Sequence, residues 1–196
     1  MLVLLDTNAY LRLAKRVRPA VGVTFGQKGY VLTILKAVED EVHRNARLKA
    51  RYPWFDSDEF VNERLAKQTR LSPGEKLSIQ AAQSVLHGWV LQDVERFTSG
   101  GRSPPGPTDC WLLAYGQVKP AIVVTDDLGM HELAKDFGIS VWHGYELLDK
   151  LRSAKVVDSP VIRDIYEALD ANGDMTRTWL EAKHSVFSKI FGSKPS

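Results

Sequence analysis

Sulfur is scarce in this chain of 196 residues, which has one cysteine, Cys110, and three methionines. A lone cysteine excludes an internal disulfide and any metal site built from several thiolates, and it fits a reducing compartment. Long apolar runs are missing as well. No stretch approaches the ~20 apolar residues that a membrane span needs, and Met1 to Leu5 is interrupted by Asp6 too soon to act as a signal peptide. These absences lead to the expectation of a soluble, cytoplasmic protein that does not engage a membrane. Neither charge dominates: 26 basic residues face 24 acidic ones, and a net charge of +2 does not by itself announce a nucleic-acid partner. There is no GxSxG elbow, no Walker A loop and no GxGxxG after a strand, and the five histidines form no HExxH pair. Triad hydrolysis, nucleotide binding and histidine-held zinc therefore lack support, and ordinary surface or half-buried roles are expected of the histidines.

What the chain does have is carboxylates placed directly after apolar strands. Met1-Leu2-Val3-Leu4-Leu5 reads as a strand covered on both faces, and Asp6-Thr7-Asn8 follows where open α/β sheets bind ligands, beyond a strand's carboxyl end. Ala121-Ile122-Val123-Val124-Thr125 repeats the pattern and runs into Asp126-Asp127. If both strands belong to one parallel sheet, their acids meet at one edge. Clustered carboxylates raise one another's pKa unless a cation sits among them, so a divalent metal site is the economical reading.

Between and beyond these strands, helical spacing runs over Ala9–Ala14, Val38–Lys49, Asp58–Gln68 and Lys76–Phe97, the last opened by a Ser72/Glu75 capping box. A second strand is predicted over Tyr30–Leu35. Ser99 to Pro107 is almost wholly turn formers and delivers the chain to Asp109, in the first turn of an apolar helix. A helix near Gly129–Phe137, a strand over Ile139–Trp142 and two helices, Pro160–Leu169 and Arg177–Phe191, complete the pattern, with fraying expected from Gly192. Strands alternating with helices predict a three-layer α/β domain with a mostly parallel sheet. The expected division is a main domain over 1–152 and a C-terminal helical extension over 153–196 packed on it.

Four acids stand out by position: Asp6, Glu41 within Val38-Glu39-Asp40-Glu41-Val42, Asp109 and Asp127. With Leu5-Asp6-Thr7-Asn8, Val38 to Arg44, Asp109 with Leu112-Leu113-Ala114, and Thr125-Asp126-Asp127, the chain resembles the PIN-domain ribonucleases, especially the VapC-like toxins of bacterial toxin–antitoxin pairs. The resemblance covers about residues 1 to 150 and leaves the C-terminal helices outside it. It implies an acidic quartet of Asp6, Glu41, Asp109 and Asp127 holding Mg²⁺ or Mn²⁺, with Asn8 and Thr125 orienting carboxylates or water. Glu39 competes with Glu41 for the second place and Asp126 with Asp127 for the fourth. It further implies endonucleolytic cleavage of RNA by an activated water, leaving a 5′ phosphate and a 3′ hydroxyl, with homodimerisation and an antitoxin partner. Basic residues flank the acids, and Arg12, Lys15, Arg16, Arg44 and Arg47 are candidates to hold the flanking phosphates.

Each acid also has a plainer role available. Asp6, Asp109 and Asp127 all suit the first turn of a helix, and Glu41 suits a surface ion pair. From other classes, a PIN-like RNA-binding or protein-interaction module that does not cleave and a metal-dependent phosphatase remain as rivals. One further motif, Asp170 to Glu181, follows much of a calcium-binding EF-hand loop but has Met175 at the glycine position and Arg177 at an apolar one. A plain turn with its corner at Asn172-Gly173 is expected there.

Overall fold

The computed structural model describes residues 1–66, 69–98 and 102–193. Strand β1 (Leu2–Leu5) leads into helix α1 (Thr7–Leu13), and a short hairpin of β2 (Thr24–Phe25) and β3 (Tyr30–Thr33) follows. Helices α2 (Lys36–Arg44) and α3 (Ala46–Arg51), a 3-10 turn at Pro53–Asp56, α4 (Asp58–Ala66), the long α5 (Pro73–Gln92) and α6 (Val94–Phe97) precede α7 (Pro107–Val118). The pattern β4 (Ala121–Val124), α8 (Leu128–Asp136), β5 (Val141–Trp142) and α9 (Gly144–Ser153) then leads to α10 (Ser159–Ala171), α11 (Arg177–His184) and α12 (Ser188–Phe191).

The five strands form one sheet in the order β2-β3-β1-β4-β5, parallel except for the β2–β3 hairpin. All four residues of β4 are buried although alternate side chains point to opposite faces, so helices cover the sheet on both sides. This is the α/β architecture with a mostly parallel sheet that the alternating pattern implies. β1 is central, with Leu5 opposite Val124 in β4 and Leu4 opposite Thr33 in β3. Because β1 and β4 run parallel in this register, Asp6 emerges beside Thr125, and the Asp6 amide donates to the Val124 carbonyl at 3.1 Å.

The elements differ from the sequence reading where local breaks override periodicity. The single helix expected over Val38–Lys49 is two, because Asn45 is extended (φ −100°, ψ 100°) and its side chain caps α3 through the Arg47 and Leu48 amides. The helix expected over Lys76–Phe97 breaks at Asp93, and the one expected over Arg177–Phe191 breaks between His184 and Ser188. Helix α9 and strand β2 are additional. Gly144 and β2's length of two residues leave little local signal, although Leu147, Leu148 and Leu151 line one buried face of α9. The predicted helix end at Gln68, the loop start Ser99-Gly100-Gly101 and the final three residues lie outside the described residues.

Helices α10 and α11 share the core of the rest of the chain: Ile162, Ile165, Tyr166, Leu169 and Trp179 belong to the same buried cluster as Val3, Leu4 and Val123. Between them, Gly173 adopts φ +65° and Thr176 caps α11, so the segment with EF-hand character is a turn. Its Asp174 pairs with Arg51 at 3.1 Å.

Candidate carboxylate site at the sheet edge

Each of the four acids reaches the carboxyl edge through its own element. Asp6 ends β1 and caps α1, with Oδ1 accepting from the Ala9 amide at 2.5 Å. Asp127 follows β4 and caps α8, with Oδ1 accepting from the Met130 amide at 2.9 Å. Asp109 stands in the first turn of α7, where Oδ2 accepts from the Gly106 amide at 2.9 Å. α7 precedes a parallel strand, which brings its N-terminus to this edge. Glu41 projects from α2 and accepts from the Thr7 hydroxyl at 2.6 Å, tying it to the residue after Asp6. Helix capping and membership of one acidic edge are thus compatible: each cap occupies one carboxylate oxygen and fixes the direction of the other.

The edge is electrostatically strained. Burial pushes the Asp6 carboxyl from its ordinary 3.8 up to about 7; hydrogen bonds from Thr125 and the Ala9 amide oppose the rise, and nearby Asp126 adds to it. Burial likewise lifts Asp109 to about 6, against the Gly106 amide, with the charges of Glu41 and Asp127 adding. Glu41 and Asp127 are therefore each near enough to repel Asp109. Thr125 is fully buried, accepts from the Asp127 amide at 3.1 Å and bonds to Asp6, whereas Asn8 is exposed.

The two competing acids sit elsewhere. Glu39 is buried against Arg64, with Nε–Oε1 at 2.7 Å, and Arg64 also donates to the Phe55 carbonyl at 2.9 Å. Asp126 is the centre of a buried network. Arg12 Nη1 lies 2.8 Å and Trp179 Nε1 2.7 Å from its Oδ2, and the Gly144 amide donates to Oδ1 at 3.0 Å. Burial alone would raise the Asp126 pKa; His143, Arg12, Trp179 and Gly144 together outweigh it and hold it below the usual carboxylate range. His143 Nδ1 lies 3.6 Å from Oδ1. Its ring stacks on His131, whose Nε2 lies 2.9 Å from the Thr125 carbonyl oxygen. Sequence reasoning assigned no such role to Thr7, Gly144, His143 or Trp179. Only Thr7 carried a signal, as the middle residue of Asp6-Thr7-Asn8.

The candidate phosphate-holding residues are dispersed. Arg12 turns inward to Asp126 with its side chain 8% exposed. Arg16 lies 2.6 Å from Asp164, with Nε directed off the hydrogen-bond line. Lys15, Arg44 and Arg47 are exposed, and Arg44 Nε donates to the Asp40 carbonyl of its own helix at 3.0 Å.

The donors at the edge are hard carboxylate oxygens with mutual repulsion to relieve, which fits Mg²⁺ or Mn²⁺ in chemical type. Among the described residues, no three His, Cys, Asp or Glu side chains converge closely enough to enclose an ion. No helix among the described residues is long and apolar enough to cross a membrane.

No family model matches the chain, and no curated protein matches it. Among solved structures the chain is similar to one described as the 2.2 Å resolution structure of VapBC-1 from nontypeable Haemophilus influenzae. Identity is 14% and the TM-score 0.46, with 74% of this chain and 99% of that chain covered. A likeness at that level adds no weight to a functional reading, which rests on the carboxylate edge itself.

Proposed function

We propose that the protein is a divalent-metal-dependent endoribonuclease that cleaves RNA phosphodiester bonds with an activated water, and that it is the toxin of a toxin–antitoxin pair. The observation that carries the reading is that Asp109 lies within charge range of Glu41 and Asp127 at the carboxyl edge where Asp6 ends β1, with Asp6 and Asp109 raised to about 7 and 6. Toxin status, an antitoxin partner and homodimerisation rest on the sequence motifs alone. Burial, the main cause of both shifts, penalises the ionised acids, and a bound cation would offset that cost. A Mg²⁺ or Mn²⁺ ion held there would lower the pKa of a bound water and stabilise charge on the leaving oxygen.

The chain's own residues supply orientation. Asp6 and Asp109 are the ligands of choice, with Glu41 and Asp127 completing the acidic wall. The Gly106 amide holds Asp109 Oδ2, leaving Oδ1 to face a cation, which would keep it ionised. Thr7 fixes Glu41, and Thr125 fixes both Asp6 and the backbone of Asp127. Asp126 is left out of the proposed ligand set, since Arg12, Trp179 and Gly144 already take up its oxygens.

The test is cleavage of a mixed RNA pool by wild-type protein and Asp109→Asn, in Mg²⁺, in Mn²⁺ and in EDTA. Cutting should require metal and fall about 100-fold or more in the variant. The lack of three converging ligands favours one rival, a module that binds without cutting. No cutting under any metal by folded, partner-free protein would establish that rival.

A further inference from the structure

The C-terminal helices, which the family resemblance leaves out, build one wall of a second feature. A groove of about 310 Å³ opens between the C-terminal half of α1, the chain from Arg51 to Trp54, and α10. Four cations line it, Arg12, Lys15, Arg16 and Arg51, against one lining carboxylate, Asp174. Arg12 is committed to Asp126, Arg51 to Asp174 and Arg16 is shared with Asp164, but Lys15 is exposed with no partner among the described residues. Tyr52 and Trp54, each half-buried, add ring surface, and their centroids lie 6.1 Å apart at 82°. Asp174 also lines a second cavity of about 320 Å³, whose wall includes Asp126 and Leu128 just after β4, with Arg102 and Arg177 beside them.

The geometry points to a single-stranded RNA subsite: a backbone phosphate held by Lys15 with Arg16 beside it, and a neighbouring base against Tyr52 and Trp54. Cations alternating with aromatic faces are how proteins track a single strand without reading its sequence. A volume at the low end of the ~300–1,000 Å³ found for small-ligand sites admits a nucleotide and not a duplex. An acidic peptide would use the cations but gain nothing specific from the rings. The inference rests on the nuclease reading for its choice of RNA.

The test measures binding without cutting: fluorescence anisotropy of wild-type protein in EDTA with labelled oligoadenylates of four and twelve nucleotides, a twelve-residue abasic backbone, and polyglutamate as competitor. Lys15→Glu should weaken the twelve-mer about 10-fold, and Lys15→Ala should reduce its salt slope by about one phosphate contact. The four-mer should bind more weakly than the twelve-mer, and the abasic strand more weakly than the adenylate of equal length. Equal binding of the twelve-mer by wild type and Lys15→Glu overturns the subsite, as does polyglutamate competing as well as RNA. Metal-dependent cutting together with Lys15-independent binding would remove the subsite and leave the nuclease. Lys15-dependent binding without cutting under any metal would do the reverse.

Discussion

Asp6 is a carboxylate that the folded protein protonates more readily than the unfolded chain does. Its pKa is about 7 when folded, whereas an unfolded Asp titrates near 3.9. The folded state therefore holds a proton that the unfolded state has released, and stability contributed by this group falls as pH rises from about 4 through about 7. Asp6→Asn keeps a good helix cap and has no proton to lose. In EDTA it should be more stable than wild type by roughly 1–3 kcal/mol at pH 8, with about a third of that gain left at pH 5, as read from urea midpoints at both pH values. A gain over wild type no larger at pH 8 than at pH 5 would show that burying the ionised acid carries no cost. The neighbouring acids Asp126 and Asp127 show why residue roles were only half legible in the sequence. Both follow the same strand, and nothing local tells them apart. What separates them is Trp179, 53 positions beyond Asp126, together with Arg12, 114 positions before it. Glu39 and Glu41 are separated in the same way, by Arg64 on α4.

Elements report the same lesson with a different cause. β1, β4, α7 and α8 were readable because four-residue apolar runs and caps are local signals, and those elements deliver Asp6, Asp109 and Asp127 to the edge. α9 was not, since its start depends on a close approach: a Cβ on Gly144 would come within 2.8 Å of Trp179 Cζ2 and 3.1 Å of Asp126 Oδ2. α11 is thus pressed onto the start of α9, and Trp179→Phe, which keeps the packing but loses the indole donor, should cost about 1.5–3 kcal/mol in urea unfolding. At the other side of the edge, α8 meets the end of α6 even more tightly. A Cβ on Gly129 would stand 2.3 Å from the Phe97 carbonyl oxygen, a backbone atom that cannot swing away. Gly129→Ala should lower stability by about 1–3 kcal/mol by displacing α8 and its cap Asp127, and differential scanning fluorimetry would register it as a clear fall in Tm. An unchanged Tm would mean that α6 and α8 slide apart freely.

At the scale of the whole molecule, the C-terminal helices and the sheet share one buried cluster, so they should open together. The slowest-exchanging amides of α10 are expected to have the same opening free energy as those of β1 in native-state hydrogen exchange. A distinctly lower value for α10 would reveal a separable unit. The central place of β1 bears on how the protein comes into being. Its first six residues pair on one side with Tyr30–Thr33, soon after them in the chain, but on the other with Ala121–Val124. Closing so long a span is slow, and domains emerge from the ribosome N-terminus first. While it is being synthesised, the chain therefore carries Asp6 on a strand with one open flank, and Asp109 and Asp127 cannot join it until β4 has emerged. The network that seats Asp126 waits longer still, for Trp179. The acidic edge thus assembles only after β4 has joined the sheet, and the buried network beside it only after α11 has docked.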